Sequence, residues 1–497
     1  MLFTTAAFVL LFLPVTLTGF FMLGRTSPSG AALWLLLASL FFYGYWMPQY
    51  TLLLLISIAC NFGVGLRIAA ARALAPNSAK STAKAWLVAG VVFNIVLLGY
   101  FKYANFFVDN LNMLTGSAWQ LGRVLLPIGI SFFSFTQIAF LVDTYQGRVG
   151  EYRPIHYGLF VTYFPHLVAG PVLHHSQMMP QFADAAIYRF NAANFAGGLA
   201  IFGLGLIKKV VLADGISPYA DAVFKPADAG LIPELGEAWL GALAYSLQLY
   251  FDFSGYSDMA VGLSWLFNVR LPFNFNSPYR ATSISDFWRR WHISLSNFLR
   301  DYLYIALGGN RKGAVRRYVN LALTMVLGGL WHGASWSFVL WGALHGSYLL
   351  VNHGFRAVCG PALCARLDGQ RWFAVLAWWL TLMAVLLAWV FFRAETLAGA
   401  LHILQAMAGL GDIGGVRPLL WNAGLQWPTG MAWCTALGAV ACLAPNSNRV
   451  GEWLLGLLRT NAAAQAVVCG FAVSAVLFLL LLNSARDAIS AFIYFNF

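Results

Sequence analysis

The constraint that rules this sequence is the length of its apolar runs. "AAFVLLFLPVTLTGFFMLG" (6–24) and "AAAQAVVCGFAVSAVLFLLLLN" (462–483) carry no charged residue, and about 20 apolar residues suffice for a helix to cross the hydrocarbon of a bilayer. In hydrocarbon every backbone N–H and C=O must find a partner inside the segment, so such a run is read as a helix. Candidate spans lie near 2–24, 31–47, 48–66, 85–106, 124–142, 156–172, 192–213, 238–267, 318–330, 336–352, 372–392, 428–445 and 464–483. With 60% hydrophobic and only 10% charged residues, against about 25% charged in a soluble domain, the chain could not cover a water-facing surface. It reads as an all-α polytopic membrane protein with about ten to twelve true spans, the other segments being short, broken or interfacial.

The first run lacks a basic n-region and an A-x-A-like cleavage site before Arg25, which predicts a retained span rather than a signal peptide. "VLLPIGISFF" (124–133) has Pro127 and Gly129 inside an apolar run, which suggests a re-entrant or kinked segment. The cysteines Cys60, Cys359, Cys364, Cys434, Cys442 and Cys469 form no C-x-x-C pair. They signal neither a zinc site nor a disulfide framework.

The net charge is +12, and in a membrane protein it bears first on topology. Arg67, Arg72, Lys80 and Lys84 make the clearest basic loop, and "GGNRKGAVRR" (308–317) makes a second. Both are expected in the cytoplasm by the positive-inside rule. Counting spans back from the first places Arg25 inside and the N-terminus outside. These charges serve topology alone, or they also attract an anionic acyl donor or lipid headgroups.

Ionisable residues inside spans are rare and usually functional, and here they concentrate between about 245 and 345. In "LQLYFDFSGYSDMAVGL" (247–263), Gln248, Asp252 and Tyr256 recur every four residues and share a helix face. Asp258 falls on another face unless Gly255 breaks the helix. The acids either pair with arginines to hold the fold or line a substrate passage. In "SISDFWRRWHISLSNFLRDYLYIALGGN" (283–310), Ser283 and Asp286 resemble a capping box. Trp288, Trp291, Phe298 and Tyr302 alternate there with Arg289, Arg290, Arg300 and Asp301, which suits an interfacial amphipathic helix with His292 at its middle. Interleaved basic and aromatic residues also bind single-stranded nucleic acid, but the flanking spans exclude that partner.

The third group is "LGGLWHGASW" (327–336). Gly328, Gly329 and Gly333 weaken the helix around His332, so its ring is either a satisfied core group or sits at a break facing a cavity. His332 and His345, 13 residues apart, would lie about 20 Å apart on a helix, too far to share an ion. His174 and His175 point apart, and no H-E-x-x-H or G-x-S-x-G occurs. No metal and no cofactor is expected.

Three long stretches give the chain a family resemblance: "YFDFSGYSDMAVGL" (250–263), "FNFNSPYRATSISDFWRRWHISLSNFLRDYLYIALGGNRKG" (273–313) and "LTMVLGGLWHGASWSFVLWGALHG" (323–346). The flanks "YFPHLVAGPVLHHSQMMPQF" (163–182), "WVFFRAETLAGAL" (389–401) and "AFIYFNF" (491–497) agree with it. Together they resemble the membrane-bound O-acyltransferases, most of all the bacterial alginate O-acetylation branch. The teichoic acid D-alanyl transferases are more distant relatives. The resemblance implies a ring of helices, thin at the centre, with a tunnel and a funnel meeting at a histidine.

That histidine is His332, and His292 matches a second preferred position. The resemblance also implies a cytoplasmic thioester donor, acetyl-CoA for this branch, an exported polysaccharide as acceptor, and a periplasmic SGNH-type partner protein in the inner membrane of a bacterium. His174 and His175 depart from the family pattern. The whole chain, 1–497, is then one membrane domain, with N-terminal spans over 1–120, a catalytic core over 121–355 and C-terminal spans over 356–497.

A neutral histidine suits proton removal from an attacking hydroxyl. His332 is read as that base or as a transient acyl carrier, and His292 as a group that orients the thioester. Trp331, Asp252, Tyr256, Asp258, Gln248, Trp288 and Trp291 are expected to line the passage. Arg289, Arg290, Arg311 and Lys312 would favour donor phosphates at its mouth. A transporter or flippase of an acylated carrier would use the same passage without chemistry, and a scaffold would not need it. The topology is directly testable. Ser78→Cys and Lys312→Cys should react with an impermeant thiol reagent only after permeabilisation, and labelling of either one on intact cells would reverse the assignment of that loop.

Overall fold

Prolines and glycines set many of the helix boundaries. Pro28 and Pro48 open the helices Pro28–Trp46 and Pro48–Ala73, at the position where a missing N–H costs nothing. Ser27 caps the first of them by accepting the Gly30 N–H at 3.0 Å. The computed structural model describes residues 1–73, 78–122, 124–168, 170–410, 418–486, 490, 492 and 493, with backbone alone for 78–80. The middle of the first basic loop and most of the terminal "AFIYFNF" lie outside the described residues. Among these residues every regular element is helical.

Among the described residues seven helices are long and apolar enough to cross a membrane: Ala7–Gly24, Pro28–Trp46, Pro48–Ala73, Ser81–Thr115, Ala192–Asp228, Arg371–Arg393 and Ala462–Ser484. The pair Trp427–Leu443 and Ser447–Thr460, bent by 55°, makes an eighth if it is one broken span. By length and hydropathy these account for seven or eight of the ten to twelve spans expected. The run at 124–142 begins as coil, and its helix starts only after Gly129, in the left-handed conformation, at Ile130. The run at 156–172 divides at Tyr163 into Pro154–Thr162 and Phe164–Leu167. The helices near 238–267, 318–330 and 336–352 are long enough, but their polar residues lower their hydropathy.

The described chain forms two compact units. The first comprises Met1–Leu206, Tyr256–Phe273 and Val450–Phe495. Its helices are joined by an aromatic cluster around Phe3, Phe8, Phe42 and Phe164. They are also joined by the reciprocal amide pair of buried Asn61 and Asn94, the kind of interhelical bond that replaces hydrophobic attraction in lipid. Within this unit His174 caps a helix, and His175 places Nδ1 3.0 Å from Asp143 and Nε2 3.3 Å from the Arg148 carbonyl. The structure thus gives His175 a fastening role.

The second unit comprises Ile207–Gly255 and Asn274–Arg449. Leu235–Leu266 (α1) is one continuous helix, so Gly255 does not break it. Gln248 and Asp252 fall in the second unit and Tyr256 and Asp258 in the first. The expected amphipathic helix over 283–310 is also corrected. It is divided into Ile284–Arg290 (α2), Ile293–Phe298 (α3) and a wider turn at Leu299–Tyr304. The cause is a loop that captures its backbone: Asn276 N–H donates to Arg290 O at 2.9 Å and Ile293 N–H donates to Asn274 O at 3.0 Å. The capping box is half present. Ser283 accepts the Asp286 N–H, while the Asp286 carboxylate takes Arg290 Nε at 2.9 Å.

Gly313–His332 (α4) and Trp336–Asp368 (α5) form an antiparallel hairpin. Gly329 lies against Phe338 and Gly342, Gly342 against Met325 and Val326, and Gly346 against Ala322. The two G-x-x-x-G sequences, 329–333 and 342–346, let the backbones touch. A Cβ on Gly342 would meet the Met325 carbonyl, which is rigid backbone. Gly342→Ala should therefore cost about 1–3 kcal/mol, the usual price of overpacking, read as a lower melting temperature in detergent. An unchanged melting temperature would mean the hairpin parts without penalty.

Candidate active site

His332 is the last residue of α4, and Gly333 continues in extended conformation. The glycine-weakened helix thus ends at the histidine, as the break reading expected. The ring is 4% exposed. Its walls are Trp331 at 4.9 Å, Trp341 of α5 at 5.1 Å and Phe392 of Arg371–Arg393 (α6) at 5.1 Å between ring centroids. These edge-on contacts fix the ring plane.

His292 also lies near Trp331, with a centroid separation of 6.3 Å. It is fully buried and held in the left-handed conformation, φ 44° and ψ 54°. A non-glycine residue holds that conformation only when its surroundings impose it. Here Phe253 of α1 meets its ring edge-on at 4.8 Å, and Asn274 binds it. Asn274 Oδ1 accepts Ser294 N–H at 3.0 Å, Ser294 Oγ–H at 2.9 Å and His292 Nδ1 at 3.3 Å. The Ser294 N–H can only donate, so the amide oxygen faces this cluster and His292 carries its proton on Nδ1. Burial pushes the His292 imidazole down to about 3, so the ring is neutral at any working pH.

The remaining expected site residues divide between this cluster and other places. Trp288 stands edge-on to Trp341 at 5.8 Å, and Trp291 stacks on Phe287 and packs against Trp389 of α6. Both belong to the aromatic shell around the histidines. Gln248 has its Oε1 buried with no hydrogen-bond partner among the described residues. Asp252 instead binds Lys209 Nζ at 2.6 Å, and the same ammonium binds Asp214 at 2.9 Å. Asp252 is thus paired, with a lysine where the fold-holding reading expected an arginine. Tyr256 packs on Phe3 and Phe492 in the first unit, and Asp258 is buried in that unit. Of the cationic residues, Arg290 is paired with Asp286, Arg289 lines a groove beside α2, and Arg311 and Lys312 are exposed in the turn before α4.

Residues 42–386 match the family model described as MBOAT, membrane-bound O-acyltransferase family. The chain belongs to the membrane-bound O-acyltransferases. It is 44% identical over 440 residues to the peptidoglycan O-acetyltransferase of Helicobacter pylori, covering 83% of this chain and 81% of that one. It is 44% identical over 418 residues to the "probable alginate O-acetylase AlgI" of Azotobacter vinelandii, covering 83% and 79%. The teichoic acid D-alanyltransferase of Bacillus subtilis is 28% identical over 258 residues, 50% of this chain and 64% of that one. As a membrane-bound O-acyltransferase the chain is a multi-pass membrane enzyme that transfers acyl groups to oxygen.

Sequence reasoning missed Asn274, Trp341, Phe392 and Trp389. Asn274 was visible inside "FNFNSPYR", but nothing local says which distant ring its amide holds. His345, weighed only as a metal ligand, lies one ring beyond Trp341 at 4.9 Å and is fully buried. Removing the Asn274 amide tests its hold on His292. Asn274→Ala should cost about 1–3 kcal/mol, the penalty for stranding buried donors, and should lower acyl transfer. Asn276→Ala, in the same loop and exposed, should leave both near the parent. Equal effects of the two in thermal unfolding and turnover would remove Asn274 from the site.

Proposed function

We propose that this chain takes an acetyl group from a cytoplasmic thioester, acetyl-CoA, and delivers it across the membrane for O-acetylation of an exported polysaccharide. The observation that carries the reading is His332, a buried imidazole at a helix end, walled by aromatic rings, with Trp331 in contact with both it and His292. The 44%-identical relatives are named for peptidoglycan and for alginate, which supports a polysaccharide hydroxyl as the acceptor class. The setting is the inner membrane of a bacterium with the N-terminus outside, and a periplasmic SGNH-type protein completes delivery to the polymer.

In the chemical step the acceptor oxygen attacks the thioester carbonyl. A C–O bond forms, the C–S bond breaks, the hydroxyl proton passes to His332, and the thiolate leaves carrying the electron pair. The same histidine then returns the proton. The carbonyl end of α4 faces the positive charge that this transfer creates, and such an end favours a cation. Aromatic walls exclude the water that would otherwise hydrolyse the thioester. His292, neutral and fixed by Asn274, orients the donor. The buried Nε1 of Trp288 and of Trp341 and both ring nitrogens of His345 have no hydrogen-bond partner among the described residues. They supply bonds to the polar groups of the donor arm. Arg311 and Lys312 attract its phosphates at the entrance.

His332→Ala should insert and accumulate normally but lose acetyl transfer by at least about 10²-fold, the lower end for a general base. His292→Ala should lose less. His402 donates Nδ1–H to the Ala227 carbonyl at 3.1 Å, so His402→Ala should lose about 0.5–1.5 kcal/mol of stability and keep its activity. The readout is acetyl content of the exported polymer, with membrane protein level measured in parallel. A His332→Ala protein that accumulates normally and retains more than about a tenth of the parent rate would return this histidine to the packed core, against the general-base expectation.

A further inference from the structure

A groove of about 670 Å³ runs along α6, bounded by α2 and α5, within the roughly 300–1,000 Å³ range of pockets that hold a small organic ligand. Its walls include Phe355, Phe373, Leu376 and Leu380, of which Phe355, Leu376 and Leu380 are 44%, 44% and 53% exposed. Because α6 is long and apolar enough to cross a membrane, walls this exposed and apolar suit lipid rather than water. On α6 the lining extends from Phe373 to Ala384, about 17 Å of helix, close to half of the roughly 30 Å hydrocarbon thickness.

One end of the groove is charged. Arg356 binds Asp368 at 3.3 Å, and Asp368 lies three residues before Arg371, where α6 begins. Arg289 lines the groove with no carboxylate in ion-pair range among the described residues, while the neighbouring Asp286 is occupied by Arg290. Arg289 and Arg356 both line the groove, and their guanidiniums, after burial and with that of Arg317, lower the pKa of His353. Trp372, 60% exposed at the start of α6, is the residue type that marks a membrane–water interface. The groove is therefore apolar along one leaflet and cationic at the headgroup level.

We infer that this groove binds one anionic glycerophospholipid, its phosphate on Arg289 and one acyl chain laid along α6. The Arg289 guanidinium, with no carboxylate in ion-pair range among the described residues, gives the preference for an anionic headgroup, and guanidinium–phosphate geometry gives its placement. The site adjoins the reaction centre through α2. Ile284 and Asp286 face the groove, whereas Phe287 and Trp288 of the same helix pack on His345. Bound lipid would thus brace the helix that presents the aromatic shell.

The test uses the full chain in nanodiscs doped with phosphatidylglycerol or phosphatidylcholine, each bearing a photoreactive acyl chain, with adducts mapped by mass spectrometry. Phosphatidylglycerol should label residues 373–384 at least about fivefold more than phosphatidylcholine, the factor that one basic residue is worth at an anionic surface. Arg289→Glu should erase that preference. Ala377→Trp, which fills the groove without touching a charge, should abolish labelling by both lipids and guards against a folding artefact in the charge variant. Equal labelling by the two lipids, or labelling of 373–384 no stronger than that of exposed Leu477 and Leu481, would reduce the groove to ordinary lipid contact. Suppression of the adducts by excess acetyl-CoA would assign it to a soluble phosphate-bearing ligand and overturn the inference.

Discussion

The backbone contact between α4 and α5 is the interaction on which the candidate site depends. Lipid is as apolar as leucine, so no hydrophobic force holds two helices together inside a bilayer, and association rests on close packing. Gly329 and Gly342 provide that packing where a methyl group would strike a carbonyl. The consequence is geometric. The hairpin turn between the helices is only three residues, Gly333 to Ser335, and His332 is the residue just before it. With the two backbones in contact, Trp341 of α5 is brought against the imidazole, and Phe392 of α6 closes the ring of walls. The same glycines that lower helix propensity therefore fix the histidine rather than loosen it.

The class of fold was legible from the sequence because apolar length and backbone hydrogen bonding leave a membrane chain few choices. The two histidines were legible because their surroundings are costly for a polar ring. The path of the backbone around His292 was not. Trp288 to Tyr302 has helical periodicity, and only the capture of two main-chain groups by the Asn274–Asn276 loop divides it. That capture joins residues 14 to 19 positions apart, beyond the reach of a periodicity argument. The partner of Asp252 was hidden for the same reason, since Lys209 lies on a helix far earlier in the chain. Gly255 settles an alternative that periodicity left open. A glycine in a helix interior costs about 1 kcal/mol in propensity, which the packing of a long buried helix readily overrides.

The buried polar groups of the second unit fall into two chemical classes. Lys209, Asp214 and Asp252 satisfy one another, and Asn274 satisfies His292 and Ser294. The ammonium and the two carboxylates of the first set are consumed by the fold. Trp288, Trp341 and His345 are different: their ring nitrogens are buried and meet no hydrogen-bond partner among the described residues. Native interiors leave few such atoms, and each one calls for a reason. Here they are neighbours, with Trp288 touching both Trp341 and His345, and Trp341 touching His332. An apolar residue at any of these positions would avoid the penalty if packing were the only requirement. Grouped beside His332, they are the kind of donors and acceptors that the amide and carbonyl groups of a substrate would satisfy, which accords with the proposed acyl transfer.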